Sequence, residues 1–71
     1  MTEPASVRNA IRDLDMYRSM LKIAERNLKT ALKQNLDEAT ITEDRRLVDV
    51  WKRNVTQAEQ TLTQARRDTT P

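Results

Sequence analysis

The sequence predicts an all-α protein, an antiparallel and coiled-coil-like hairpin of two long helices. Two series of apolar residues, spaced alternately by three and four, indicate the helices, because that spacing places side chains on one helical face. A chain of 71 residues with no Gly and two Pro near its ends has the composition of long helices. The two series are Leu14, Tyr17, Leu21, Ala24 and Leu28, and then Val48, Trp51, Val55, Ala58, Leu62 and Ala65.

The first helix is expected over about residues 4–34. Pro4 suits its first turn, where a missing N–H costs no hydrogen bond, and one of the two preceding residues is expected to cap it. In the absence of Gly, Asn35 is the best candidate for the left-handed residue that ends a helix. A loop over about residues 35–40 is expected to follow.

The second helix is expected over about residues 41–67. Thr40 and Glu43 have the spacing of a capping box, in which a hydroxyl and a carboxylate accept hydrogen bonds from exposed backbone N–H groups. Thr42 is the competing cap. With a frayed tail over residues 68–71, all 71 residues form a single helical-hairpin domain.

Heptad positions a to g, with the leucines of the first helix at a, predict how the helices pack. Antiparallel helices layer a residues against d residues, and opposite charges at e positions are expected to pair beside the seam. A loop centred near Ala39 predicts the ion pairs Glu25–Lys52 and Arg18–Glu59. It predicts the layers Leu28–Trp51, Leu21–Ala58, Leu14–Ala65, Tyr17–Leu62 and Ala24–Val55.

More apolar residues are present than one seam uses. The extra ones occupy c and g positions, which lie on the same side of an antiparallel pair, so a broad Met-rich face is expected there. Burying each such side chain is worth about 1.5–3 kcal/mol. We therefore expect this face to form a homodimeric four-helix bundle or to bind a helix of a partner protein. Its residues are Met16, Met20, Ile23, Leu47 and Val50.

Basic residues line b and f positions of the first helix. Such a stripe is suited to the phosphates of a nucleic acid, with an affinity that falls steeply with salt. The same positions hold the solvated charges of any coiled coil, the net charge is only +2, and no aromatic residue is interleaved to stack on bases. Nucleic acid is therefore the second expectation for a partner. The stripe contains Arg8, Arg12, Lys22, Arg26, Lys29 and Lys33.

The residue types present argue against catalysis. The chain has no His, Cys or Gly, so we expect no enzyme, no cofactor and no small-molecule substrate. The spacing of the acidic group near the loop matches no calcium site, and loop solubility and helix capping explain it, so no metal is expected. No charged and then apolar leader opens the sequence and charge interrupts every apolar run, so we expect no signal peptide, no membrane span and a soluble cytoplasmic protein.

These observations support a non-catalytic protein-interaction module: a small adaptor, chaperone or inhibitor that acts through the Met-rich face. The alternatives are a small nucleic-acid-binding regulator and a structural component of a phage or secretion assembly. The predicted shape resembles the Rop-like hairpin dimers, which bind RNA, and the small helical-hairpin chaperones of secretion systems. No motif specific to either is present, and shape alone does not determine function.

Overall fold

The structure, a computed structural model, describes residues 3–69, which form two α-helices, α1 (Ala5–Lys33) and α2 (Glu38–Asp68). The helices pack against each other as a hairpin, and residues 3–69 contain no strand. The predicted all-helical hairpin is thereby confirmed. The hairpin is a rod of 54 × 17 × 12 Å with a Cα radius of gyration of 16.1 Å. A compact domain of this length has a radius of about 11 Å.

The carboxyl end of α1 closes with a left-handed residue, as predicted. Asn35 has a φ of 53°. Its N–H donates to the carbonyl oxygen of Leu32 at 3.3 Å, and the N–H of Leu36 donates to that of Ala31 at 3.0 Å. This pair of bonds satisfies carbonyls that the end of a helix otherwise leaves without donors. At the other end of α1, Pro4 is the N-cap residue and therefore precedes the first turn.

Two substitutions at Asn35 are expected to differ in their effect on the stability of the hairpin. A β-branched Asn35→Val side chain clashes with the backbone in the left-handed region and is expected to destabilise the hairpin by about 1–2 kcal/mol. Asn35→Gly is the matched control, because Gly adopts this conformation without a clash. Thermal unfolding followed by circular dichroism measures both. Equal unfolding temperatures for the two variants would contradict the prediction.

The loop is shorter than predicted, because α2 begins at Glu38 rather than near residue 41. Asp37 is the N-cap residue, and its carbonyl oxygen accepts the N–H of Ile41 at 3.1 Å. The predicted capping box is wrong, since Thr40 lies within the first turn of α2. Its hydroxyl donates to the Asp37 carboxylate at 2.6 Å.

The carboxyl end of α2 reaches Asp68, one residue beyond the expected end. At Thr69 the hydroxyl donates to the carbonyl oxygen of Arg66 at 3.1 Å. The last two residues of the expected frayed tail, Thr70 and Pro71, lie outside the described residues.

The shorter loop moves the packing of the helices by one heptad. The rings of Tyr17 and Trp51 are 6.0 Å apart between centroids and tilted by 35°. The predicted partner of Trp51, Leu28, lies about 16 Å further along α1 at ~1.5 Å per residue, so the predicted layers are wrong. A shift of seven residues still sets a against d and produces new layers. They are Leu14–Ala58, Leu21–Trp51, Ala24–Val48 and Tyr17–Val55.

The buried seam is thin. Small residues dominate it, while the Tyr17 and Trp51 side chains remain half-buried. Two of the shifted layers have both members buried, which agrees with the shorter loop. The buried residues are Val7, Ala10, Leu14, Ala24, Ala31, Val48 and Ala58.

One of the two predicted ion pairs beside the seam forms. The Arg18 guanidinium lies 3.5 Å from the Glu59 carboxylate, and half of each side chain is exposed. Glu25 and Lys52, both exposed and both within the described residues, form no such pair. An exposed pair gains only about 0.2–1 kcal/mol, so the hairpin does not depend on either pair for its stability.

Candidate protein-binding interface

The Met-rich face lies on one side of the hairpin, which we call the c/g flank because both helices present their c and g positions there. Counted outward from the loop, Val50 lies level with the gap between Met20 and Ile23. The predicted longer loop would have placed Val50 a heptad nearer the loop. The shorter one brings all five predicted residues, Met16, Met20, Ile23, Leu47 and Val50, to the same part of the flank.

Solvent reaches much of this face. Met16 is 51% exposed and Ile23 is 48% exposed. Met20, Leu47 and Val50 are half-buried against the seam. A side chain that is half exposed in the hairpin still has apolar surface to remove from water when a second protein covers it. The face therefore leaves apolar surface in contact with water, while three of its five side chains also pack against the seam.

The face lies near the middle of the rod, and the flank on either side of it is polar. A cleft of about 260 Å³ adjoins it beyond Tyr17. Amide, hydroxyl and carboxylate side chains from both helices line this cleft, so the flank has an apolar centre and a hydrogen-bonding border. The lining residues are Ala10, Asp13, Tyr17, Asn54, Gln57, Ala58 and Thr61.

The charges divide sharply between the sides of the hairpin. All 13 Lys and Arg residues occupy b, e or f positions, so no Lys or Arg occupies a c or g position, and the Arg46 side chain that reaches the flank is bonded to Glu43. Within the helices its charged residues are all acidic: Asp13, Glu43 and Asp68. A partner can therefore approach the flank without desolvating a Lys or Arg, which is costly at the centre of an interface.

The hairpin exposes more surface than a compact protein of its size. Its accessible surface is 5652 Å² at a mass of 8.3 kDa. Folded monomers of that mass expose roughly 4,600 Å². The excess, on the order of 1,000 Å², follows from the elongated shape of the hairpin, which exposes surface on every side of the rod.

The basic stripe of α1 lies outside the c/g flank, and all six of its residues are exposed. Within residues 3–69 none of the six side chains forms an ion pair or hydrogen bond, so their charges are open to solvent. Asp15 and Ser19 interrupt the stripe, and the Ser19 hydroxyl donates to the Asp15 carbonyl oxygen at 3.0 Å. The six are Arg8, Arg12, Lys22, Arg26, Lys29 and Lys33.

The acidic residues near the loop do not converge. Glu43 receives two hydrogen bonds from the Arg46 guanidinium, at 2.6 and 3.0 Å. These bonds lower the pKa of the Glu43 carboxyl and raise that of Arg46. No group of three or more acidic side chains is close enough to hold a metal ion in the described part of the chain.

Comparisons of this chain with protein-family models, curated proteins and solved structures find no significant match. Neither α1 nor α2 has the length and apolar character needed to cross a membrane.

Leu32 and Leu36 are two further exposed apolar residues outside the Met-rich face, and the sequence indicated only Leu36, as an apolar contact at the end of α1. Leu32 is 45% exposed and Leu36 is 41% exposed. Leu32 occupies an e position, on the side of the hairpin opposite the c/g flank, and Leu36 follows the left-handed residue. The heptad position of Leu32 indicates its exposure from the sequence, because an apolar residue at e falls outside the regular a/d seam. Two such residues expose much less apolar surface than the five residues of the Met-rich face.

Proposed function

We propose that this chain is a non-catalytic protein-interaction module that binds a helical protein surface through the Met-rich face. The observation that carries the proposal is an exposed apolar face at the centre of a flank without Lys or Arg. Adaptors, chaperones and inhibitors work through surfaces of this kind, and so do bundle-forming components of phage or secretion assemblies.

The form of the face favours a helical partner. It spans two antiparallel helices, and the groove between their side-chain rows accepts the ridge of a third helix. Met16 and Met20 contribute unbranched, flexible side chains that adapt to differently shaped partners. The polar border supplies hydrogen bonds around an apolar centre, which is the usual organisation of an interface.

A charge placed in the Met-rich face, as in Met20→Lys, tests this proposal. Binding is expected to disappear while the hairpin remains helical, which light scattering and far-ultraviolet circular dichroism measure on the same samples. Unchanged association in such a variant would contradict the proposal.

A second candidate function is the binding of nucleic acid through the basic stripe. It is supported by the six exposed and unpaired cations of α1, which lie away from the c/g flank. A protein that contacts the Met-rich face leaves the stripe accessible, so the two functions are compatible. The affinity in this case comes mainly from phosphate contacts and the release of counterions.

Charge reversal at Arg26 and Lys29 is expected to weaken nucleic-acid binding at least tenfold. The slope of log affinity against log salt is expected to fall by about 2, because two phosphate contacts are lost. Fluorescence anisotropy with a labelled RNA hairpin and a labelled DNA duplex measures both effects. Arg53→Glu with Arg67→Glu is the matched control, since it changes the net charge equally at exposed f positions on the outer side of α2, away from the stripe. Full affinity in the Arg26→Glu, Lys29→Glu variant would exclude the stripe as the binding site.

A further inference from the structure

We infer that the partner at the Met-rich face is a second copy of this chain, packed flank to flank across a two-fold axis. This inference rests on the function proposed above and names the partner for the same face. A two-fold axis brings the same patch of both copies together, so the patch must be complementary to itself. The position of the Met-rich face, the distribution of charge around the c/g flank and the area of that side of the rod each suit such an arrangement.

The position of the face suits self-association. Its centre, where Val50 lies level with the gap between Met20 and Ile23, is close to the middle of α1 (Ala5–Lys33). Two rods stacked at their middles overlap along most of their length, whether their loops lie at the same end or at opposite ends. Each copy then covers the apolar face of the other, and the four helices form a bundle.

The distribution of charge removes the main obstacle to pairing two identical molecules. Each copy has a formal net charge of +2, and like charges oppose association when they face each other. Every Lys and Arg lies at b, e or f, so these cations lie outside the apolar centre of the flank, and the Arg46 guanidinium that reaches the flank is bonded to Glu43. The acidic residues of the flank, Asp13, Glu43 and Asp68, lie outside the span of the apolar residues on each helix. Glu43 already accepts two bonds from Arg46, and the rest of the flank is rich in neutral hydrogen-bond donors. These donors are Asn9, Asn27, Thr30, Asn54, Gln57, Thr61 and Gln64.

The area to be covered also matches a second hairpin. The side of the rod that shows both helices measures 54 by 17 Å, which is comparable to the roughly 800 Å² that each partner buries in a standard interface. A rod 54 Å long stacked on its equal supplies an interface of this size. The thin seam of mostly small residues gains a second apolar layer in the same step.

Disulfide cross-linking tests the inference, because the chain contains no Cys and single-cysteine variants report one contact each. Met20→Cys and Val50→Cys are oxidised separately and as a mixture. At least one of the three samples is expected to form covalent dimers tenfold faster than Gln60→Cys, the matched control on the outer side of α2. Cross-links within each variant indicate loops at opposite ends, and a mixed cross-link indicates loops at the same end; both support a second copy.

The solution mass of the unmodified protein is the second measurement and needs no variant to fold. Light scattering is expected to give twice 8.3 kDa. A monomer mass up to millimolar concentration overturns the inference, and so does a dimer whose flank cysteines react no faster than Gln60→Cys.

The dye anilinonaphthalene sulfonate separates failure of this inference from failure of the proposed function. If the protein is monomeric and binds the dye, and if Met20→Lys abolishes the dye binding, the apolar face is open to solvent. This result overturns the inference of a second copy and leaves the proposed function standing. A monomer that binds no dye overturns both.

Discussion

Met20→Lys is expected to dissociate the protein into monomers and to raise the dissociation constant more than about 100-fold. Met20 lies at the centre of the Met-rich face and is already half-buried in the hairpin, so a second copy gains only the burial of its remaining apolar surface. A two-fold interface contains the substitution twice, and it adds two ammonium groups that must be desolvated. A loss of about 3 kcal/mol or more corresponds to at least two factors of ten in affinity. Light scattering across a concentration series measures the change.

The control for this variant is Gln60→Lys, which adds the same charge at an exposed position on the outer side of α2. Its mass is expected to equal that of the unmodified protein. Circular dichroism verifies that both variants are helical at concentrations where the unmodified protein associates. Ile23→Lys combined with Val50→Asp adds opposite charges to the same face and is expected to reproduce the effect of Met20→Lys. If both face variants associate with the affinity of the unmodified protein, the Met-rich face is not part of the interface.

Leu14→Ala is expected to destabilise the hairpin by about 2–5 kcal/mol, the usual cost of deleting a buried leucine. Leu14 is only 5% exposed and lies in the layer with Ala58, which is also buried. The variant would place two alanines in that layer and leave a void between the helices. For a domain of this size the unfolding temperature is expected to fall by roughly 10–30 °C.

Leu32→Ala is the matched control, because it makes the same chemical change at a residue that is 45% exposed. Its cost is expected to be below about 1 kcal/mol, since solvent already covers much of the side chain. Thermal melts of both variants are recorded by circular dichroism at one protein concentration, because association stabilises the folded state by mass action. A cost for Leu14→Ala no greater than that for Leu32→Ala would contradict the packing of the seam.

Local chemistry explains why the fold was predictable. The leucines at Leu14, Leu21 and Leu28 repeat with the period of a helix, and the absence of Gly leaves few sites at which a helix breaks. Asn35 was predictable as the left-handed residue because Asn tolerates that region better than any side chain around it. The start of α2 was wrong because Asp37, Thr40 and Thr42 are all competent caps, and local preference does not rank them.

The two helices, the residues that form their seam and the side of the hairpin on which the extra apolar residues lie could all be predicted from the amino-acid pattern. All three depend on periodicity within one helix. The register of the two helices could not be predicted in this way, since a slip of seven residues keeps a against d and leaves the sequence pattern satisfied. The length of the loop resolves that ambiguity, and it pairs Ala24 with Val48 and sets Met20 level with Val50. The Met-rich face is compact for the same reason: its two halves lie on different helices, and the loop determines where they meet.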